Sequence, residues 1–432
     1  METVELADYQ VEEVFVRQQK VADLRWDKGQ LWVLTEGGWL AWDAALNPID
    51  RPGVPDEEIA PLPVEAPFPV VSQWTDGLEI QVAGLNQAAI WNGEWEVWPF
   101  AASAVGEGVW GTLDGRILSS EGELPGRVPG RVTAVERIPG GVAAGTEKGV
   151  YVVRDGSLQE LSVGNAICGN FVTGATRFKG ELVVATFDAG ACRFDGDRWH
   201  RIEGLPSEML NDVTVWKGAV WFATAEGLSR WDGQKVRTYP TGAGAGGVGT
   251  QHHAVGAVAS GDKLWVVDSA GPNSFDGKKW GHYRYEMHGT AWQAAAACGS
   301  EAWFGAEDAG VSGYDGRWTS MDARKGLPDD WVMAVDCDGE RAWAGTYQDG
   351  TWEWDGRRWS EVKGIGDDWV LSLAHRKGEL WVGTIDGLYL AGKGRVRGLP
   401  DERVHQLTVD GDLLLVGTER GFAVVSRRKL VK

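Results

Sequence analysis

The sequence has no long apolar run and few cysteines. No stretch of the 432 residues approaches the ~18 consecutive apolar residues of a membrane-spanning helix. The first eight residues lack the basic and apolar regions of a secretory signal. The four cysteines, Cys168, Cys192, Cys298 and Cys337, have no CxxC spacing and are typical of small buried hydrophobic residues. These observations predict a cytoplasmic protein with four free thiols, no disulfide and no membrane association.

Positive charge is also scarce. The chain carries 42 Lys+Arg against 62 Asp+Glu, a net charge of -20. Nucleic-acid-binding proteins usually present a basic stripe, whereas an acidic surface repels phosphate groups. We therefore expect no nucleic-acid partner.

The familiar motifs of catalysis and metal binding are missing. The sequence contains no HExxH, no GxSxG and no P-loop. His252 and His253 form the densest histidine cluster, but they lack the further ligands that a metal ion needs. We expect a protein that is not an enzyme and that holds no metal and no cofactor.

Glycine and tryptophan are abundant, at 61 and 25 residues. Glycine serves tight turns that require a positive φ angle, and tryptophan is a large apolar body for packing between sheets. Many turns together with many tryptophans predict an all-β chain of short strands.

A repeated pattern organises these strands. In residues 213–239, four short apolar runs are separated by Lys217-Gly218, Glu226-Gly227 and Asp232-Gly233, which are typical hairpin turns. One unit is therefore a four-stranded antiparallel sheet. The end of its second strand recurs eleven times, at Thr35, Gly84, Thr112, Thr146, Thr186, Thr224, Asp268, Ala306, Thr346, Thr384 and Thr418. A spacing of about 40 residues with four strands per unit is typical of a β-propeller. The sequence thus predicts a β-propeller of about eleven blades.

We expect one domain over residues 1–432, closed into a single large ring. The last repeat ends early, and Val11–Arg17 is a spare strand, so residues 1–20 are predicted to complete the final blade and close the ring. Such closure removes exposed edges and predicts a monomer. The alternative is two smaller propellers of six and five blades, with a break at the glycine-rich residues 241–249.

The repeated sequence pattern resembles that of a known family. Leu380-Trp-Val-Gly-Thr384, the following Asp386-Gly-Leu388 and the Gly-Leu-Pro triplets at 204–206, 326–328 and 398–400 resemble the two-component regulator propeller repeat. The resemblance covers nearly the whole chain and implies the propeller fold. Members of that family are often periplasmic sensor domains of hybrid histidine kinases, and some bind oligosaccharides. No membrane span or kinase accompanies the repeats in this sequence, so the sensor role is not expected to carry over.

Two features are predicted to meet at one end of the propeller. The turns between second and third strands carry acidic residues, and tryptophans stand where the chain enters the first strand of three successive blades. The candidate binding residues are Trp292, Trp331, Trp369, Asp188, Glu226, Asp308, Asp349 and Asp386. The competing interpretations are ordinary turn chemistry for the acids and packing for the tryptophans.

Aromatic residues and complementary charge are typical of binding hot spots. The sequence therefore favours a non-catalytic platform or scaffold that recognises a protein or a basic peptide at this mouth. The alternatives are a carbohydrate or small-ligand sensor and, with less support, a propeller lyase.

Overall fold

The described residues form short antiparallel strands and one 3₁₀ turn, Ala323–Lys325. The computed structural model describes residues 6, 8–17, 21–35, 38–47, 49, 71–76, 79–84, 86–119, 122–146, 148–154, 156–161, 166–240, 254–268, 271–283, 289, 291–366 and 368–428. None of the helical structure in these ranges has the length and apolar character needed to cross a membrane.

Contacts divide the chain into two compact units. The small unit is residues 17–166, and the large unit is residues 1–16 together with 167–432. The single domain expected for residues 1–432 stays a prediction. The alternative break at 241–249 lies outside the described residues, together with His252 and His253.

The small unit contains four antiparallel sheets, S1 to S4, with three described strands in S1 and four in each of the others. Their strands are β2 (Val21–Asp27), β3 (Gln30–Thr35) and β4 (Gly38–Trp42) in S1; β5 (Ser72–Asp76), β6 (Glu79–Ala83), β7 (Ala88–Trp91) and β8 (Trp95–Trp98) in S2; β9 (Ala104–Gly106), β10 (Val109–Gly111), β11 (Ile117–Ser119) and β12 (Gly122–Glu123) in S3; and β13 (Val132–Ile138), β14 (Gly141–Thr146), β15 (Gly149–Arg154) and β16 (Ser157–Leu161) in S4.

The large unit contains seven four-stranded antiparallel sheets, L1 to L7. In L1 to L4 the strands are β17 (Val172–Phe178), β18 (Glu181–Thr186), β19 (Gly190–Phe194) and β20 (Trp199–Arg201); β21 (Leu210–Trp216), β22 (Ala219–Thr224), β23 (Gly227–Trp231) and β24 (Val236–Pro240); β25 (Ala254–Ser260), β26 (Lys263–Asp268), β27 (Gly271–Phe275) and β28 (Trp280–His282); and β29 (Trp292–Cys298), β30 (Glu301–Ala306), β31 (Val311–Tyr314) and β32 (Trp318–Met321).

The strands of L5 to L7 follow the same plan. They are β33 (Val332–Cys337), β34 (Ala342–Thr346), β35 (Thr351–Trp354) and β36 (Trp359–Glu361) in L5; β37 (Val370–Arg376), β38 (Glu379–Thr384), β39 (Gly387–Leu390) and β40 (Gly394–Val396) in L6; and β41 (Val404–Asp410), β42 (Leu413–Thr418), β43 (Gly421–Arg427) and β1 (Tyr9–Phe15) in L7. The described chain thus confirms the eleven predicted antiparallel blades.

The N-terminal strand supplies the fourth strand of L7. β1 pairs antiparallel with β43, with Tyr9 opposite Arg427 and Phe15 opposite Phe422. Phe15 also packs on Trp199 of L1, with ring centroids 5.2 Å apart. The two ends of the large unit's sequence are therefore joined within one sheet.

The Gly-Thr pair at the end of second strands has a packing explanation. A Cβ atom on Gly383 would lie 2.6 Å from Cγ1 of Val404 in the next sheet, so only glycine permits this approach. Gly417 of L7 stands in the same relation to Val172 of L1, at 2.8 Å. Within the large unit, each sheet contacts the next in chain order and L7 contacts L1.

The threonine after this glycine holds the following turn. The Thr346 hydroxyl donates to the Gly350 carbonyl oxygen at 2.9 Å and accepts from the Asp349 N–H at 3.0 Å. Thr384 and Thr418 make the corresponding bond to Gly387 and Gly421. All three threonines are buried, which explains why a short polar side chain recurs in the core.

Most second-strand tryptophans pack between sheets, as expected. Trp110, Trp221, Trp265, Trp343 and Trp381 are all at most 3% exposed, whereas Trp32 and Trp303 are half-buried. The five buried tryptophans belong to the apolar clusters that join neighbouring sheets. Their recurrence therefore reflects packing rather than ligand binding.

Candidate functional site

One recurring hydrogen bond defines an end of the large unit, which we call the mouth. The first residue of each turn between second and third strands donates its N–H to the residue that precedes a first strand. The pairs and distances are Phe187 to Phe171 at 2.9 Å, Ala225 to Met209 at 3.1 Å, Glu307 to Ala291 at 2.8 Å, Tyr347 to Trp331 at 3.0 Å, Ile385 to Trp369 at 3.3 Å and Glu419 to Arg403 at 3.2 Å. Strand entries and acidic turns therefore lie side by side in each of these sheets.

Two of the three predicted tryptophans meet at the mouth through a tyrosine. Trp331 stacks on Tyr347 with ring centroids 4.2 Å apart and an interplanar angle of 18°. Tyr347 meets the edge of Trp369 at 4.5 Å and 69°. Trp331 is 36% exposed, and the other two rings are half-buried. We call these three residues the aromatic ladder.

Tyr347 was not among the residues singled out from the sequence. It opens the turn after Thr346, and no other described turn of the large unit has a tyrosine at that place. The available signal was an aromatic residue at a turn position whose residue type varies, with Phe187, Ala225, Glu307, Ile385 and Glu419 at the other described turns. Its proximity to both tryptophans depends on how L5 packs on L6.

Trp292 lies elsewhere. It is the first residue of β29, pairs with Ala306 and is 2% exposed, within the cluster that joins L3 to L4. The equivalent position in L5 is held by Val332, which pairs with Thr346. Ala291, one residue earlier, is the true counterpart of Trp331. The structure therefore does not bring Trp292 to the mouth.

The predicted carboxylates all lie on exposed turns, but their surroundings differ. Asp386 accepts hydrogen bonds from the Tyr389 hydroxyl at 3.2 Å and from Arg395 at 3.4 Å. Asp188, Glu226 and Asp349 have no ion pair within the described part of the chain. Asp308 is exposed on the L4 turn. Asp188, Glu226 and Asp349 thus contribute exposed carboxylates that lack an ion pair among the described residues to this end of the large unit.

The turn that carries Asp349 is rigidly built. Its N–H donates to Thr346, its carbonyl oxygen accepts from the Trp352 indole N–H at 2.7 Å, and the next residue, Gly350, donates to Asp368 at 3.0 Å. The backbone groups of Asp349 are thus occupied while its carboxylate faces solvent. The turn therefore presents an exposed carboxylate two residues after Tyr347.

A cavity of about 410 Å³, the channel, is lined by the first strands of all seven sheets of the large unit. Two carboxylates face it. Asp212 accepts N–H bonds from Val213 at 2.7 Å and from Ala257 of the next sheet at 2.9 Å, and Asp336 accepts from Cys337 at 2.8 Å and from His375 of the next sheet. Burial raises the pKa of each to about 7.

The channel carboxylates therefore join neighbouring sheets and titrate near neutral pH. Within the described residues, no group of three or more His, Cys, Asp or Glu side chains is arranged to hold a metal ion. The arrangement offers hydrogen-bond acceptors for backbone amides rather than a ligand set.

The expectation of free thiols in the cytoplasm is wrong. Cys168 forms a disulfide with Cys192, with Cα atoms 5.8 Å apart, and Cys298 forms one with Cys337, at 5.9 Å. The first bond lies within L1 and its approach, and the second joins the adjacent sheets L4 and L5. Because disulfides persist in oxidising compartments, they indicate an extracellular or periplasmic protein.

The sheets and their arrangement as blades define the class of this chain, which is a β-propeller protein. No protein-family model matches it, and no curated protein sequence does. Among solved structures it is similar to PorZ, an essential bacterial surface component of the type-IX secretion system of Porphyromonas gingivalis. The TM-score is 0.61 at 14% identity, over 96% of this chain and 69% of PorZ. This similarity supports the fold.

Two further solved structures are more distant. The extracellular domain of the putative one component system BT4673 from B. thetaiotaomicron has a TM-score of 0.48 at 15% identity, over 94% of this chain and 69% of that domain. YCF48 bound to D1 peptide has a TM-score of 0.47 at 14% identity, over 60% of this chain and 94% of that chain. The propeller fold implied by the sequence resemblance is confirmed, while membership of the two-component regulator repeat family stays a prediction.

Proposed function

We propose that the chain is a non-catalytic binding platform that recognises a protein or a basic peptide at the mouth of the large unit. The observation that carries this proposal is the aromatic ladder, which is partly exposed and whose Tyr347 lies on the same turn as Asp349, an exposed carboxylate with no ion pair among the described residues. Stacking fixes the rings in advance, so little side-chain entropy is lost on binding.

Charge selects the class of partner. The chain carries a net charge of -20, and Asp188, Glu226 and Asp349 add exposed carboxylates at the mouth. Such a surface attracts cations and repels phosphate and other acidic groups. A segment that combines apolar residues with Lys or Arg matches both the rings and the charges.

A second candidate is recognition of carbohydrate. The specific observation is that Trp331 lies nearly parallel to Tyr347 and leaves 36% of its surface exposed, which offers a flat face on which a sugar ring could stack. A neutral sugar makes no use of the carboxylates, so the two candidates differ in their dependence on salt.

Selection from random peptides tests the proposal. Peptides of about 16 residues, which span ~50 Å when extended, are displayed on phage and selected on the chain with its disulfides intact. The same preparation is applied to a glycan array. We expect peptides rich in Lys and Arg whose affinity falls as NaCl rises from about 50 to 500 mM.

The variant Trp331→Ser with Trp369→Ser should weaken binding of the selected peptides about tenfold or more. Leu158→Ser is the matched control, because Leu158 is a 40% exposed apolar residue of the small unit. Binding that is equal for both variants, or hits confined to glycans and insensitive to salt, would contradict the proposal.

A further inference from the structure

A second aromatic group lies at the mouth, on the other side of L7. Phe171, which enters L1, packs against Phe187 of the L1 turn with ring centroids 5.2 Å apart and against His405 of L7 at 4.6 Å. Phe187 is 37% exposed. Met209, which enters the neighbouring sheet L2, is 44% exposed. We call Phe171, Phe187 and Met209 the second patch.

The second patch and the aromatic ladder face the same end of the large unit. Both are built from strand entries and from turns joined by the same hydrogen bond, Phe187 to Phe171 in one case and Tyr347 to Trp331 in the other. The ladder occupies L5 and L6, and the second patch occupies L1 and L2. Because L7 contacts both L6 and L1, a single sheet separates the two groups.

The sheet between them presents charge instead of apolar surface. Arg403 at the L7 entry pairs with Glu419 of the L7 turn, with Nε 3.4 Å from Oε2. The two apolar groups are thus separate anchoring points rather than one continuous face. A small rigid ligand could occupy one of them, whereas a partner that uses both must extend across L7.

Carboxylates follow the apolar residues at each anchoring point. Asp188 follows Phe187, and Asp349 lies two residues after Tyr347. Glu226 follows Ala225, whose N–H donates to the carbonyl oxygen of Met209. All three carboxylates are exposed and have no ion pair among the described residues. On each side of L7, an apolar group is therefore accompanied by a negatively charged side chain.

We propose that the second patch and the aromatic ladder are two halves of one docking surface, and that its occupant is a single extended polypeptide segment with two apolar anchors, each next to Lys or Arg. This inference rests on the proposed function. It adds a second half and an extended partner to that surface. The charge complementarity at both halves favours a cationic polypeptide over a neutral sugar.

Two anchors on one segment reinforce each other. Once one anchor is bound, the other is held near its patch at a high effective concentration, so the segment binds more tightly than either half alone. Removing either patch should therefore weaken the same peptide, and removing both should reduce its affinity to that of a non-specific basic peptide.

The test uses the peptides selected on the intact chain and measures their affinity by fluorescence anisotropy. Phe187→Ser, in the second patch, and Trp331→Ser, in the ladder, should each weaken binding about tenfold or more. Leu158→Ser should leave the affinity within about twofold. If Phe187→Ser does not fold to the wild-type melting temperature, Met209→Ser takes its place, because Met209 is the more exposed of the two.

Charge is tested in the same way. Asp188→Asn combined with Glu226→Gln should weaken binding at low salt and reduce its dependence on salt, whereas Glu94→Gln, an exposed carboxylate of the small unit, should change neither. If the second-patch variants match Leu158→Ser while Trp331→Ser weakens binding, the two-anchor inference is overturned and the proposed function stands. If Trp331→Ser also matches Leu158→Ser, the proposed function fails as well.

Discussion

Trp331 and Trp343 belong to the same sheet but have opposite surroundings. Trp343 is 2% exposed, donates its indole N–H to Glu353 at 3.0 Å and stacks on His375 at 4.4 Å. Trp331 is 36% exposed and stands on the entry to β33. The first residue therefore serves packing, while the second is available for contact with a partner.

Truncating these two tryptophans should lower the free energy of unfolding by very different amounts. We expect Trp343→Ala to lower the free energy of unfolding by about 3–5 kcal/mol, as other large-to-small core substitutions do. Trp331→Ala should cost less, about 1–2 kcal/mol, because 36% of its surface already faces water. Urea unfolding of both variants measures the difference, and equal losses would show that Trp331 is structural.

Three half-buried carboxylates are expected to make the free energy of unfolding depend on pH. Burial raises the pKa of Asp212 and Asp336 in the large unit, and of Glu136 in the small unit, to about 7. In an unfolded chain these groups titrate near 4. Because the folded pKa is the higher one, their contribution is fully present below the unfolded pKa and is lost as the pH rises through about 7.

We therefore expect the free energy of unfolding to fall as the pH is raised from about 4 to 7 and to level off above that range. Asp212→Asn should flatten part of this slope, since the amide does not ionise, while Glu94→Gln leaves it unchanged. Urea midpoints measured at several pH values give the slope for each variant. An unchanged slope in Asp212→Asn would mean that Asp212 does not titrate in this range.

Among the secondary-structure elements, the N-terminal strand β1 is expected to matter most for stability and for the monomeric state. β1 covers β43, and without it β43 would present an unpaired edge, which is prone to pair with other chains. Deleting residues 1–16 would also remove Phe15 from its contacts with Phe194 and Trp199, at 5.2 Å each.

We expect this deletion to lower the melting temperature and to promote association. Scanning fluorimetry measures the first effect, and size-exclusion chromatography with light scattering measures the second. Val14→Thr in the full-length chain is a suitable control, because Val14 is 45% exposed and its replacement keeps the strand. A deleted chain that melts like the full-length protein and stays monomeric would show that β1 is dispensable.

At the scale of the whole molecule, the two units differ in their cross-links. Both disulfides lie in the large unit, and each described core cluster draws its members from one unit alone. Cross-links stabilise mainly by restricting the unfolded chain that contains them. Reduction should therefore affect the large unit selectively.

Calorimetry should detect this selectivity. We expect two unfolding transitions, of which reduction by dithiothreitol lowers only the one assigned to residues 1–16 and 167–432. Alkylation under non-reducing conditions should label none of the four cysteines, and the variant Cys298→Ser with Cys337→Ser should reproduce part of the shift. Full labelling of the native protein would show that the disulfides do not form.

The repeat and its turns were predictable from the sequence because they depend on residues close together in the chain. Lys217-Gly218 and Asp232-Gly233 specify hairpins locally, and the same turn chemistry recurs in every blade, so eleven antiparallel sheets could be counted. The positions of Trp331 and Trp369 at strand entries followed from the same repeat. Trp292 was placed one residue away from its true repeat position. Because successive strand residues point to opposite faces of a sheet, its side chain lies in the core instead of at the mouth.

The sequence alone therefore determined the kind of sheet, the number of sheets and the acidic character of their turns. Only the tertiary structure decided which sheets share a unit, that Tyr347 joins Trp331 to Trp369, and that Cys298 meets Cys337 across 39 residues of chain. Similar blades can pack on one another in many orders, and local periodicity does not distinguish them. Their order depends on contacts between sheets, such as Gly417 against Val172, that join residues far apart in the sequence.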